Sequence, residues 1–138
     1  AVPAPKLGVI VPPHPFDLPP GVHERRLLGR SAEAMGRLGA ANADLFLSGH
    51  LHISHVSHVG DRYSAGGHTG LIVQAGTVST RSRGEAPSFN VLRIHRPEID
   101  LARHSWSEAE ARFTSQSVGS YRHTDAGWKP APDVGGQK

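Results

Sequence analysis

The spacing of apolar residues changes along the chain, and each spacing predicts a different element. A short β-branched run at residues 9–11 predicts a strand, which two following prolines end. Between residues 24 and 41 apolar side chains recur with the period of a helix, with Asn42 as its C-cap. The apolar run at residues 44–48 then predicts a buried strand.

The second part of the chain predicts strands joined by short loops. Strands are expected at residues 52–59, 71–75, 88–95 and 98–106. Beyond them we expect one helical turn at residues 107–112, an edge segment at 121–128 and a loose tail from 130. A strand, a helix and a strand followed by an antiparallel meander predict a layered α/β sandwich with two sheets.

Composition limits the chemistry that this fold can carry. A chain of 138 residues fits one domain. Because it has no cysteine, disulfides, thiolate metal sites and thiol catalysis are excluded, so any metal must be held by His, Asp, Asn or Glu. No apolar run approaches the ~18 residues of a membrane helix, and the first residues do not resemble a signal peptide. We therefore expect a cytoplasmic protein that does not bind membranes.

The positive charge of the chain suggests nucleic acid as a partner, but the distribution of the basic residues does not favour nucleic-acid binding. The formal net charge is +3, and 6% of the residues are aromatic. Nucleic-acid binders usually cluster their basic residues on one face and place aromatic residues among them. Here the basic residues are scattered along the chain, so nucleic-acid binding is the less favoured interpretation.

Histidines form the most distinctive motif. The chain has ten, and four of them, at positions 50, 52, 55 and 58, fall within nine residues. His50 and His52 follow an apolar strand and Gly49, which permits a turn. In an extended segment two such residues lie on one side, about 6.6 Å apart, and strand ends in α/β sheets are common positions for chemistry. This spacing favours a metal site, and the alternative is a histidine-rich surface strand.

The ordered motifs resemble those of the calcineurin-like metallophosphoesterases. Residues 47–52, Leu-Ser-Gly-His-Leu-His, resemble the last metal-binding motif of that family, Gly-His-x-His. Residues 9–17 look like its His-x-Pro segment near the end of an inner strand. Three later stretches, 72–77, 79–84 and 88–94, are similar in order and spacing to the C-terminal sheet of bacterial members. The resemblance covers about residues 7–106.

The resemblance implies a fold, an activity and a set of site residues. The family fold is a two-sheet α/β sandwich whose two divalent metals, commonly iron, manganese or zinc, serve the hydrolysis of phosphate mono- or diesters. Two metals about 3.5–4 Å apart clamp phosphate oxygens and supply a bound hydroxide. By this resemblance His50 and His52 are metal ligands, one for each ion. His14 and Arg83 are expected near the substrate.

The departures from the family are also informative. The Asp-x-His, Gly-Asp-x-x-Asp and Gly-Asn-His motifs, which supply the remaining ligands, do not occur here. Residues 1–106 are therefore predicted to be the C-terminal half of such a domain, and residues 107–138 a partly irregular extension. We expect the missing N-terminal half or a partner chain to complete the enzyme, and the isolated chain to be inactive. Where many relatives have a ligand histidine, this chain has Pro13.

The sequence also allows two other interpretations of the function of this chain. The chain is either a non-catalytic metal-binding or interaction module derived from the same fold, or a structural α/β domain whose histidines are incidental. Asp17 is interpreted as a hydrogen-bond acceptor within its loop rather than a ligand. His55 and His58 are interpreted as strand-face residues.

Overall fold

The computed structural model describes residues 6–23, 29–59, 69–81 and 83–132. In chain order the elements are β1 (Val9–Ile10), α1 (Ser31–Ala40), β2 (Leu45–Ser48), β3 (His55–His58), β4 (Leu71–Gln74), β5 (Ser88–His95), β6 (Glu98–Ser107), β7 (Arg112–Thr124) and β8 (Gly127–Pro130).

The strands form two four-stranded sheets. In the first the order is β1-β2-β4-β3, with β1, β2 and β4 parallel and β3 antiparallel to β4. In the second, β5 to β8 form an antiparallel meander in sequence order. The short apolar runs form the parallel strands. This is clearest for β4, whose four residues are all buried, because a strand buried on both faces carries few polar side chains. The predicted layered α/β sandwich with two sheets is confirmed.

Two hydrophobic cores lie on opposite faces of the mixed sheet. Leu45 and Phe46 are consecutive in β2, so their side chains lie on opposite faces. Leu45 packs in the core shared with the antiparallel sheet, which includes Leu101 and Trp128. Phe46 packs in the other core, with Met35 of α1. The layers are therefore a helix, the mixed sheet and the antiparallel sheet.

The helix α1 ends one residue earlier than the sequence predicted, with Ala41 rather than Asn42 as its C-cap. Asn42 has a φ of 53°, in the left-handed region that commonly ends helices. Its amide donates to the Gly39 carbonyl, and the amide of Ala43 donates to the Leu38 carbonyl. The start of the predicted helix differs, because α1 begins at Ser31. Residues 24–28 of the predicted span lie outside the described residues.

The C-terminal part of the described chain is more regular than the sequence indicated. Residues 112–124 and 127–130, expected in a partly irregular extension, form β7 and β8. The helical turn predicted at 107–112 is wrong. The strand β6 continues to Ser107, and its pairing with β7 runs through residues 106 and 107 without a break. Trp128 is fully buried in the core between the sheets.

A buried carboxylate links the two sheets at the amino end of β2. Asp44 is 2% exposed and accepts hydrogen bonds from the Gly8 amide at 2.9 Å and the Trp128 indole at 3.1 Å. Arg96 approaches the same carboxylate at 3.3 Å. Because burying a charge without partners is costly, this cluster explains why an aspartate is tolerated in the core. It lies at the edge of the sheet opposite to the histidine motif.

Within the described residues, no helix combines the length and the apolar character needed to cross a membrane.

Candidate functional site

The candidate residues gather at one edge of the mixed sheet. Because β1, β2 and β4 are parallel, the loops that follow them leave from the same edge. His14 lies in the loop after β1, His50 and His52 follow β2, and Arg83 lies in the loop after β4. The topology therefore brings together residues that are far apart in sequence.

The histidine motif forms a tight turn, and the extended geometry predicted for it is wrong. His50 has a φ of 74° and His52 a φ of 59°, both in the left-handed region. Such backbone is uncommon for residues other than glycine and often occurs at functional sites. Leu51 between them is 1% exposed, whereas His50 is exposed and His52 half-buried. The two histidines therefore flank a buried leucine that anchors the turn.

His14 lies directly against the first histidine of the turn. The ring centroids of His14 and His50 are 4.5 Å apart, with an angle of 82° between the ring planes. This edge-to-face contact joins the loop after β1 to the loop after β2. The structure therefore places His14 beside His50. That His14 lies near the substrate stays a prediction. A direct bond between His14 and a metal stays untested.

The ring of His52 is oriented by a backbone carbonyl. Its Nδ1 lies 2.8 Å from the carbonyl oxygen of Arg81. Since a carbonyl can only accept, Nδ1 is the protonated nitrogen. In a neutral imidazole this leaves the lone pair on Nε2. Histidines that bind metals are commonly held in this way, with the second ring nitrogen bonded to a carbonyl or a carboxylate.

Asp17 fastens the loop that carries His14. The carboxylate is buried and accepts from the Ser57 hydroxyl at 2.5 Å, and its Oδ2 lies 3.1 Å from His55 Nε2. The Gln74 amide donates to the Asp17 backbone carbonyl. The loop is thus bonded to both β3 and β4. The interpretation of Asp17 as an acceptor within the fold agrees with these contacts.

A second set of contacts fixes the loop after β4. The amide and the hydroxyl of Ser54 donate to Oε1 of Glu85, at 2.9 and 2.8 Å. Arg83, two residues before Glu85, lines a small cavity together with Leu51 and Ile53. In the part of the chain that the structure describes, Arg83 forms no ion pair with a carboxylate. The guanidinium side chain therefore lines the same cavity as Leu51 of the histidine turn.

The described residues do not form a complete metal site. Among them, no group of three or more His, Asp or Glu side chains is arranged to hold one ion. A metal pair also needs a bridging ligand. The two buried aspartates among the described residues have other contacts, Asp17 with Ser57 of β3 and Asp44 with Trp128 at the opposite sheet edge. His50 and His52 could thus supply only part of a ligand set.

Sequence reasoning missed two contributions to this region. The bond from Ser57 to Asp17 spans 40 residues, and His55 reaches the same carboxylate across 38. Periodicity reports only local faces, so it gives no signal for such a pair. His23 was also missed, although it lines the cavity beside Leu51. Its position in a proline-rich loop carried no motif.

Comparison with known proteins gives a partial likeness of fold. No family model and no curated protein matches the chain. Among solved structures, the chain is similar to Vps29 from Entamoeba histolytica, a protein with a metallophosphoesterase-like fold. The wild-type Vps29 complexed with zinc matches at 18% identity and a TM-score of 0.42, over 64% of this chain and 46% of that chain.

A single mutant of the same Vps29 matches at 17% identity, again with a TM-score of 0.42, over 66% of this chain and 46% of that chain. The chain therefore spans less than half the length of the solved structures that it matches. The likeness concerns part of the fold alone.

Proposed function

We propose that this chain is the C-terminal part of a metal-dependent phosphoesterase that hydrolyses phosphate mono- or diesters, and that His50 and His52 are metal ligands in it. The observation that carries the proposal is the convergence of His14, His50 and His52 at the carboxyl edge of the parallel strands. The Gly-His-x-His resemblance gives His50 and His52 the same role.

The chemistry of the three side chains fits this role. Imidazole is a good ligand for iron and zinc, and the bond from His52 Nδ1 to the Arg81 carbonyl leaves Nε2 for a metal. His50 is exposed on the turn. Its contact with His14 restricts the rotation of both rings, which lowers the entropy lost on binding.

The remaining ligands come from outside this chain in our proposal. Carboxylates supplied by an N-terminal half or by a partner chain would complete the site. A divalent metal pair held there would bind phosphate oxygens and lower the pKa of a bound water. The positive charge of Arg83 lies at the same sheet edge, where it would attract the phosphate ester.

Calorimetric titration with zinc tests the ligand assignment. We expect the His50→Ala, His52→Ala double variant to lose the strongest binding event of the wild-type chain. A matched control is the His95→Ala, His104→Ala double variant, which removes two histidines of the other sheet. The control should keep that event, because both of its substitutions lie outside the candidate site.

Two results of this titration would contradict the proposal. One is equal affinity and stoichiometry in the wild-type chain and the His50→Ala, His52→Ala variant. The other is a similar loss of binding in the control variant, which would indicate nonspecific binding to a histidine-rich surface.

A second candidate function is a metal-binding module without catalysis. Pro13, at the position where many relatives have a ligand histidine, favours it, because proline has no side-chain donor atom. Adding the missing N-terminal half to the chain separates the two candidates. Metal-dependent hydrolysis of a chromogenic phosphodiester by the completed protein supports the enzyme, whereas metal binding without turnover supports the module.

A further inference from the structure

A small cavity opens beside the histidine turn. Its volume is about 200 Å³. The residues that line it are Gly21, Val22, His23, Leu51, Ile53 and Arg83. Leu51 is also the buried residue between the two candidate ligands. A molecule in the cavity would therefore lie next to the turn, on the side of the loop after β4.

The lining of the cavity has two chemical parts. Val22, Leu51 and Ile53 are apolar, whereas His23 and Arg83 are polar or cationic and exposed to solvent. Among the described lining residues there is no carboxylate. This combination suits a molecule with a small apolar group and a negative charge, because each part finds a matching surface.

Hydrogen bonds between loops hold the walls of the cavity in place. The Arg81 carbonyl is bonded to the ring of His52, and the Ser54 amide donates to Glu85, so a residue on each side of Arg83 is held in place. On the opposite wall, Gly21 has a φ of 82°, a conformation that side chains resist and that lets the proline-rich loop turn there. A pre-formed wall costs less free energy to bind than a mobile one.

We propose that this cavity binds the organic group of a small phosphate ester, with Arg83 contacting its anionic oxygens. The inference rests on the proposed function and names its substrate class. Pockets for drug-sized ligands measure roughly 300–1,000 Å³, so this smaller cavity accommodates a single aromatic ring or a short alkyl chain. Esters with one such group are preferred over those with a bulky or strongly polar group.

The test is a titration of the metal-free chain with phenyl phosphate, followed by NMR of the methyl groups. We expect saturable shifts at the methyls of Val22, Leu51 and Ile53. Inorganic phosphate, which lacks the ring, should leave these methyls almost unchanged. Phenol, which lacks the charge, should bind more weakly than phenyl phosphate.

Two variants locate the binding. Arg83→Gln should weaken phenyl phosphate binding by about tenfold or more, because it removes a charge-assisted contact. Arg93→Gln, on an exposed strand position of the other sheet, is the matched control and should have no effect. Val22→Trp places a large ring at the cavity wall and should also weaken binding.

The outcomes separate this inference from the proposed function. Shifts that scatter over the surface, or equal effects of Arg83→Gln and Arg93→Gln, would overturn the cavity assignment. Shifts confined to the cavity together with loss on Arg83→Gln support it, whatever the metal titration gives. If phenyl phosphate binds in this way while zinc binding does not depend on His50 and His52, the cavity assignment is supported and the proposed role of the two histidines as metal ligands is contradicted.

Discussion

Replacing Asp44 by alanine should destabilise the chain severely, although Asp44 lies far from the candidate site. The substitution removes an acceptor whose described donors include the Gly8 amide at 2.9 Å, the Trp128 indole at 3.1 Å and Arg96 at 3.3 Å. Trp128 is 0% exposed, so its indole N–H loses a buried acceptor when the carboxylate is removed. The two sheets lose one of the polar contacts that join them.

The magnitude follows from these contacts. Removing one partner of a buried ion pair costs roughly 3–5 kcal/mol. The Arg96 side chain is 23% exposed, so water partly solvates it after the substitution. We therefore expect a loss at the lower end, about 3 kcal/mol of the free energy of unfolding. Against a typical total of roughly 5–15 kcal/mol, this is a large fraction.

Urea denaturation followed by tryptophan fluorescence measures this loss, since buried Trp128 reports on the core. Asp125→Ala is the matched control, because Asp125 is exposed in the turn between β7 and β8 near the same cluster. Exposed substitutions of this kind usually change stability by no more than ~0.5 kcal/mol. A loss below about 1 kcal/mol for Asp44→Ala, or one equal to that of Asp125→Ala, would refute the reasoning.

Three further predictions address other parts of the molecule. The hydrogen bond to Asp100 raises the pKa of His95 above 6.5, so this pair stabilises the fold below pH 6.5, and the stabilisation is lost as the pH rises through the raised pKa. An NMR titration should show that Asp100→Asn returns the pKa of His95 toward 6.5. A pKa of His95 at or below 6.5 in the wild-type chain would contradict this. Gly127→Ala should destabilise the fold by about 1–3 kcal/mol, because Gly127 has a φ of 96° and a Cβ there would meet neighbouring backbone. In α1, the Cβ of Gly36→Ala would meet nothing, so this variant should stabilise the fold by about 0.5–1 kcal/mol in thermal unfolding. A Gly127→Ala variant more stable than Gly36→Ala would refute this. The isolated chain with manganese should not hydrolyse a chromogenic phosphodiester above the buffer rate, and robust turnover that disappears in His52→Ala would show that ligands were missed.

The parts of the fold that sequence predicted best are those with a strong local pattern. The predicted strand at residues 88–95 coincides with β5, and Glu98 begins β6 as expected. In both strands, apolar and polar residues alternate between turn residues, so the pattern alone defines the element. The layered architecture then followed from the order of the elements.

The parts that sequence missed depend on contacts between distant residues. Most of β7 is exposed, and its serine- and threonine-rich sequence has no apolar face that would identify a strand. It becomes a strand by pairing along most of its length with β6. The conformation of the histidine turn was missed for a related reason, because Gly49 is compatible with an extended segment as well as a turn, and the burial of Leu51 decides between them.

The sequence proposed residues for the candidate site but not their geometry, and their role as a site stays a prediction. Motif spacing identified His50 and His52, and the parallel topology brings His14 to them. The orientation of His52 by the Arg81 carbonyl has no counterpart in any motif, because it depends on how two loops pack. Local patterns thus name the side chains, while the fold sets their arrangement.

Paramagnetic broadening by Mn²⁺, observed on the histidine ring resonances, tests the central claim most directly. If the carboxyl edge of the parallel strands is where this chain binds metal, substoichiometric Mn²⁺ should broaden His14, His50 and His52 first. His95 and His104 on the antiparallel sheet should stay sharp at the same concentration. Equal broadening of all five rings, or equally strong broadening of His14 in the His50→Ala, His52→Ala variant, would contradict the claim.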